Sequence, residues 1–160
     1  MRKLFTLKKI LIALLLIFLV MQVFRIKKDN PPVIAEQDFI HIYNPPKDIR
    51  QIIESACYDC HSNATEYPWY SNVAPISWWL KDHINQGREE MNFSEWATFK
   101  EKKKARRIKQ CAELVEEEEM PLPSYTWIHE DARLDAEQRA KLAQWFEGLA
   151  ERKSGAEARN

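Results

Sequence analysis

Glycine is scarce in this chain, with three residues in 160. Neither G-x-G-x-x-G nor G-x-x-x-x-G-K-[ST] occurs, so a nucleotide-binding α/β domain is not expected. Cysteine is equally rare, and three thiols cannot build a multi-bridge disulfide scaffold. Net charge is missing as well: 24 basic side chains balance 24 acidic ones. Nothing in that balance argues for nucleic acid as a partner. No stretch alternates apolar and polar residues for long enough to make a strand, and there is no internal repeat. At 45% hydrophobic and 30% charged, the chain is nevertheless not disordered. Its length suits one domain. Tryptophan is what the chain has in excess: six residues, expected to pack against something large and flat.

The N-terminus reads as an export segment. Arg2, Lys3, Lys8 and Lys9 precede the apolar run from Ile10 to Phe24. That run is about 22 Å of helix, and counting from Leu4 extends it to about 31 Å if Lys8 and Lys9 snorkel. The second figure matches a hydrocarbon core of about 30 Å. No A-x-A site follows the run. The nearest small-residue candidate, Val33-Ile34-Ala35, lies beyond Arg25, Lys27 and Lys28. Residues 1–28 are therefore expected to be an uncleaved signal anchor forming a transmembrane helix. The flanking charges differ by only one and orient it weakly. Residues 29–46, with Pro31-Pro32 and Pro45-Pro46, are expected to run as an extended linker. Residues 47–152 are expected to form the folded domain, and 153–160 a polar tail.

Helical periodicity dominates that domain, so the expected class is mainly α. Ile49, Ile52, Ile53 and Ala56 recur at i, i+3, i+4 and i+7. Pro75 is placed to begin a second helix with Ile76, Trp79, Leu80, His83, Ile84 and Gly87 on one side. A third is expected to begin near Ser94 as its N-cap. Its faces conflict: Ala105, Ile108, Ala112 and Val115 share one side, while Trp96 and Phe99 fall on the basic side with Lys100, Lys103, Lys104 and Arg107. Either the helix breaks near residues 100–104, or its first turns pack on something else. Carboxylates at Glu116–Glu119 oppose the helix dipole, so fraying is expected before Met120. A last helix starts at Asp135, where Gln138 completes a capping box, with Leu142, Trp145, Phe146 and Leu149 inward.

Cys57-Tyr58-Asp59-Cys60-His61 is C-x-x-C-H, the attachment pattern of c-type haem. Two thiols at this spacing reach the two vinyl groups of one porphyrin. The next residue's imidazole then falls under the iron as proximal ligand. Two other readings compete. A thioredoxin-type C-x-x-C opens a helix after a strand, whereas here the pair closes a helix. A structural zinc site needs four ligands. Cys57 and Cys60 with His83, His129 or Cys111 would supply them, but no second paired motif exists. For the sixth iron position the candidate is Met120, a soft thioether in a loop before Pro121, with His83 and His129 as alternatives.

These residues resemble a known family. The segments CYDCHSNATEYPWYSNVAPISWW (Cys57 to Trp79), HINQGREEMNFSEW (His83 to Trp96) and MPLPSYTWIH (Met120 to His129) are similar to the haem-binding-domain proteins, small mono-haem cytochromes c of bacterial envelopes. The resemblance runs from about Ile40 to Phe146. It implies a cytochrome-c-like helical domain around one covalent haem c. In that domain Cys57 and Cys60 are the thioether sites, His61 the proximal ligand and Met120 the distal candidate. Cys111 and the acidic run Glu116–Glu119 are not accounted for by it.

Further candidates surround this motif. Tyr67, Trp69, Trp78 and Trp79 are candidate haem-pocket walls, against ordinary aromatic core. Arg88 is a candidate propionate partner, against a solvated arginine. Cys111 reads as a buried thiol. The stretch Lys100–Lys109 holds seven basic residues and one glutamate, and reads as a docking face for an acidic redox partner or as a solvated face. The expected function is a single-electron carrier at the periplasmic side of the cytoplasmic membrane, serving redox proteins of the cell envelope. It touches lipid through its N-terminal helix. The alternative is a haem peroxidase or haem-based sensor with an open distal site.

Overall fold

A computed structural model describes residues 2–157 of the chain. Among these residues about 70% are helical and none is in a strand. The helices are α1 (Arg2–Met21), α2 (Phe39–Tyr43), α3 (Lys47–Ala56), α4 (Tyr58–His61), α5 (Ile76–Glu90), α6 (Glu101–Glu116), α7 (Pro123–Thr126) and α8 (Ala136–Glu157). Short 3-10 turns fill several connections, among them Trp69–Asn72 and Phe93–Thr98. The mainly α class holds.

The expected transmembrane helix does not. No helix among the described residues is long and apolar enough to cross a membrane. The helix itself forms, but it stops at Met21, and Gln22, Val23 and Phe24 leave it through tight turns. Its uncharged part therefore runs only from Ile10 to Met21, about 18 Å, well short of the roughly 30 Å core. What holds α1 to the rest is its C-terminal exit. Gln22 donates to the Ala74 carbonyl and accepts from the Ala74 N–H, both at 3.0 Å. The Trp78 indole N–H donates to the Phe24 carbonyl at 2.7 Å.

The main core lies where α6 and α8 pack along each other and α3 meets α8. Ile49, Ile52 and Ile53 come from α3, Ile108, Ala112 and Val115 from α6, and Leu142, Phe146 and Leu149 from α8. Each set follows the 3.6-residue period that buries one helical face. Residues 29–46 depart from the extended linker expected of them. Asp38 caps α2 by accepting from the Ile40 N–H at 2.9 Å, and Phe39 and Ile40 enter the core. The prolines bracket this short helix instead of dissolving it. Phe39 packs against Phe93 and Trp96, with ring centroids 4.8 Å apart in each pair. The polar tail expected at 153–160 is helical as far as Glu157, because α8 continues into it; residues 158–160 lie outside the described residues.

Candidate haem site

The C-x-x-C-H motif breaks the helix that leads into it. α3 ends at Ala56, Cys57 is non-helical, and α4 carries Tyr58 to His61. Beyond it, a buried polar network fixes the chain. Asn63 N–H donates to the Ser94 hydroxyl at 3.1 Å, and Asn92 donates to the Asn63 side-chain oxygen at 2.8 Å. These groups are almost wholly buried, so their mutual pairing is what makes the burial tolerable.

α5 approaches α4 very closely at Gly87. A Cβ on Gly87 would lie 2.6 Å from the Cys60 carbonyl oxygen, so only glycine allows this crossing. The approach has a chemical result. His61 Nδ1 donates to the Gly87 carbonyl at 2.9 Å and to the Met91 carbonyl at 3.1 Å. Carbonyls only accept, so the proton is on Nδ1 and the lone pair is on Nε2. Burial pushes the His61 pKa down, which keeps the ring neutral. A neutral imidazole whose second nitrogen is held by backbone carbonyls is a well-oriented metal ligand.

His61 lines a cavity of about 440 Å³ bounded by α4, α5, α6 and the segment from Met120 to Tyr125. Cys60, His83, Met91, Cys111, Leu114 and Met120 share its wall. The volume is that of a small-molecule or cofactor site. The Cys57 thiol is not on the cavity wall; it packs against the main core. Burial raises both motif thiols, Cys57 to about 12 and Cys60 to about 11. Met120 reaches the cavity because α6 ends in a left-handed turn at Glu118, with φ 62°. Its N–H donates to the Leu114 carbonyl at 2.9 Å, and Arg139 of α8 donates to its carbonyl at 3.1 Å.

The two histidines proposed as alternatives separate. His83 lines the cavity, and its Nδ1–H donates to the Trp79 carbonyl at 2.9 Å, leaving Nε2 for a ligand. His129 does not line it; its Nε2 shares a 2.8 Å hydrogen bond with the Tyr70 hydroxyl, and its ring stacks on Tyr125. The zinc reading fails on the same geometry: no group of three or more His, Cys, Asp or Glu among the described residues is placed to hold a metal ion.

The expected aromatic walls are elsewhere. Tyr67, Trp69, Trp78 and Trp79 do not line the cavity. Trp69 is 78% exposed, and Trp78 is taken up by the exit of α1. Arg88 is absent from the wall as well. Its guanidinium donates to the Ser62 carbonyl, the Asp29 carbonyl, Asn30 and Thr65 at 2.8–3.0 Å, so it pins the N-terminal segment to the loop after the motif. Missed by sequence reasoning were Arg107, Gln110 and Leu114, which face the cavity together with Cys111. Their spacing of i, i+3, i+4 and i+7 marks one helical face beside the apolar one, but its mixed polarity carries no signal of burial. Tyr125 was missed too. It lines the cavity and donates to Asp59 at 2.6 Å, fastening α7 to the motif.

A neutral, oriented imidazole, a thioether and an apolar wall with a few polar groups fit an iron porphyrin. One donor fits its carboxylates: the Arg107 Nε–H is buried and has no partner. Fold and site together define a helical haem-binding protein. The chain belongs to the family described as Haem-binding domain, whose profile matches residues 16–148. No curated protein and no solved structure matches it.

Proposed function

We propose that this chain is a c-type cytochrome that carries single electrons at the periplasmic side of the cytoplasmic membrane. Cys57 and Cys60 hold one haem by thioether bonds, His61 is the proximal ligand and Met120 the distal one. The haem supplies the one-electron couple. The chain holds it, orients the iron ligand and excludes water. The observation that carries this reading is His61: the last residue of a C-x-x-C-H motif, on the cavity wall, with its Nδ1–H committed to two backbone carbonyls. Lipid contact belongs to the exposed apolar residues of α1 from Leu7 to Val20, on a helix that does not reach across the bilayer core. Redox proteins of the cell envelope are the partners.

His83 supports a second reading of the sixth position. It stands on the same cavity with Nε2 available. His/His ligation keeps electron transfer but lowers the potential relative to His/Met.

The test is covalency. Purified protein is expected to keep its haem through denaturation and acid–acetone extraction, and its tryptic peptide over residues 57–61 to carry the haem mass. Cys57→Ala with Cys60→Ala abolishes attachment. Complete extraction of pigment from the wild type would refute the thioether assignment while leaving a haem-binding protein.

A further inference from the structure

We infer that Arg107 of α6, which sequence reasoning placed in a basic docking stretch, is the anchor for a carboxylate inside the cavity, and that this carboxylate is a haem propionate. The inference rests on haem occupying the cavity as proposed above.

Arg107 is turned inward. Its side chain is 15% exposed, and it lines the cavity with His61, Met91 and Cys111. Two of its three nitrogens are taken. Nη1 donates to Gln110 at 2.9 Å, and Nη2 pairs with Glu90 at 2.7 Å. Nε is buried, and it is the only such side-chain nitrogen or oxygen without a partner among the described residues. A buried N–H of a cation left unpaired is costly, and natural folds rarely keep one without a ligand for it. Gln110 is one turn along α6, and Glu90 stands across on α5. Together they fix the plane of the guanidinium, so the free donor has a set direction.

The ligand this donor takes is an anionic oxygen, which a carboxylate supplies in a charge-assisted bond. A porphyrin in this cavity brings two carboxylates with it. Before it binds, Glu90 balances Arg107 and the local charge is near zero. An incoming propionate adds one negative charge beside an N–H that Glu90 does not use. Glu90 therefore need not leave; it and the propionate share one guanidinium. Arg88, the propionate partner expected from the sequence, has all three side-chain nitrogens engaged and lies off the wall.

The experiment uses the holoprotein with ¹⁵N-labelled arginine, reduced and, if high-spin, saturated with carbon monoxide so that the iron is diamagnetic. The expected result is an Arg107 Nε–H signal protected from solvent exchange, with nuclear Overhauser contacts to the propionate methylene protons. In parallel, resonance Raman should show the propionate bending band displaced in Arg107→Gln and unchanged in Glu90→Gln; Arg107→Lys serves the same comparison if the glutamine variant does not accumulate. An Arg107 Nε–H that exchanges at the solvent rate, or that contacts only protein protons, overturns the assignment and leaves the cytochrome reading intact. Protein that carries no haem at all overturns both.

Discussion

At the scale of single residues, the site depends on a missing side chain. Gly87 lets the backbone of α5 touch the backbone of α4, and that contact sets the carbonyl that orients His61. Alanine is intrinsically better than glycine in a helix interior by about 1 kcal/mol. Here the added methyl meets a backbone oxygen, which cannot swing aside. Gly87→Ala is therefore expected to destabilise the protein by about 1–3 kcal/mol net, in the range of overpacking. Urea unfolding of both proteins measures it. The same variant should weaken the His61 hydrogen bond, read as a shifted reduction potential of the haem protein. A stabilised variant with an unchanged potential would show that α5 is free to move away from α4. Burial also holds the motif thiols and Cys111 in their protonated forms while the chain is folded. Thiolate chemistry at Cys57 and Cys60 thus favours the chain before it closes.

At the scale of elements, the end of α6 decides where Met120 goes. Glu119 N–H donates to the Leu114 carbonyl at 3.0 Å and Glu118 N–H to the Val115 carbonyl at 3.3 Å. This is the Schellman pattern, with Glu118 at the left-handed position that glycine favours. A carboxylate there also opposes the helix dipole. Glu118→Gly is expected to stabilise the fold by about 1 kcal/mol, by relieving the Cβ clash of a left-handed residue; the thermal midpoint should rise. A fall in midpoint would mean the glutamate makes a contact that outweighs the strain. The sequence announced a break here through its run of acids. It also announced the discontinuity upstream, where Trp96 and Phe99 disagreed with the apolar face of α6. The chain resolves that conflict with a separate 3-10 turn over Phe93–Thr98, and α6 proper starts at Glu101. Asn92, not Ser94, caps that turn. The capping box of α8 formed as read, with Asp135 and Gln138 bonding reciprocally at 2.7 and 3.0 Å. Apolar periodicity was thus legible wherever a face packs on protein. The face of α6 carrying Arg107, Gln110, Cys111 and Leu114 was not, because a mixed-polarity stripe reads as solvent-facing unless one knows what lies against it. The aromatic residues near Pro68 and Pro75 failed for the converse reason: apolar character says that a ring prefers cover, not which cover it finds.

At the scale of the whole molecule, the two side chains proposed for the distal position line one cavity from different elements. Met120 arrives on the loop after α6, and His83 stands on α5 one turn before Gly87. The choice between them would set the reduction potential. Were the Met120 sulfur to hold the iron, the resting protein would be low-spin and small reagents would find no open position. The haem would then exchange electrons with little ligand rearrangement, and the soft thioether would raise its potential. Met120→Ala is expected to lower the reduction potential, because the donor that favours ferrous iron is lost. It should also let carbon monoxide bind where the wild type binds it slowly, and raise peroxidase turnover from a low baseline. His83→Ala should leave the wild-type spectrum and potential near their starting values. In the double variant the distal position is open, so carbon monoxide binding should be faster than in Met120→Ala alone wherever His83 partly replaces the lost sulfur. Redox titration and stopped-flow carbon monoxide binding on the four proteins separate the cases. A wild type that responds to His83→Ala and ignores Met120→Ala would keep the carrier function and move the ligand to α5. A high-spin wild type that binds carbon monoxide at once, with a spectrum indifferent to both changes, would refute the carrier reading in favour of catalysis or gas sensing at an open iron.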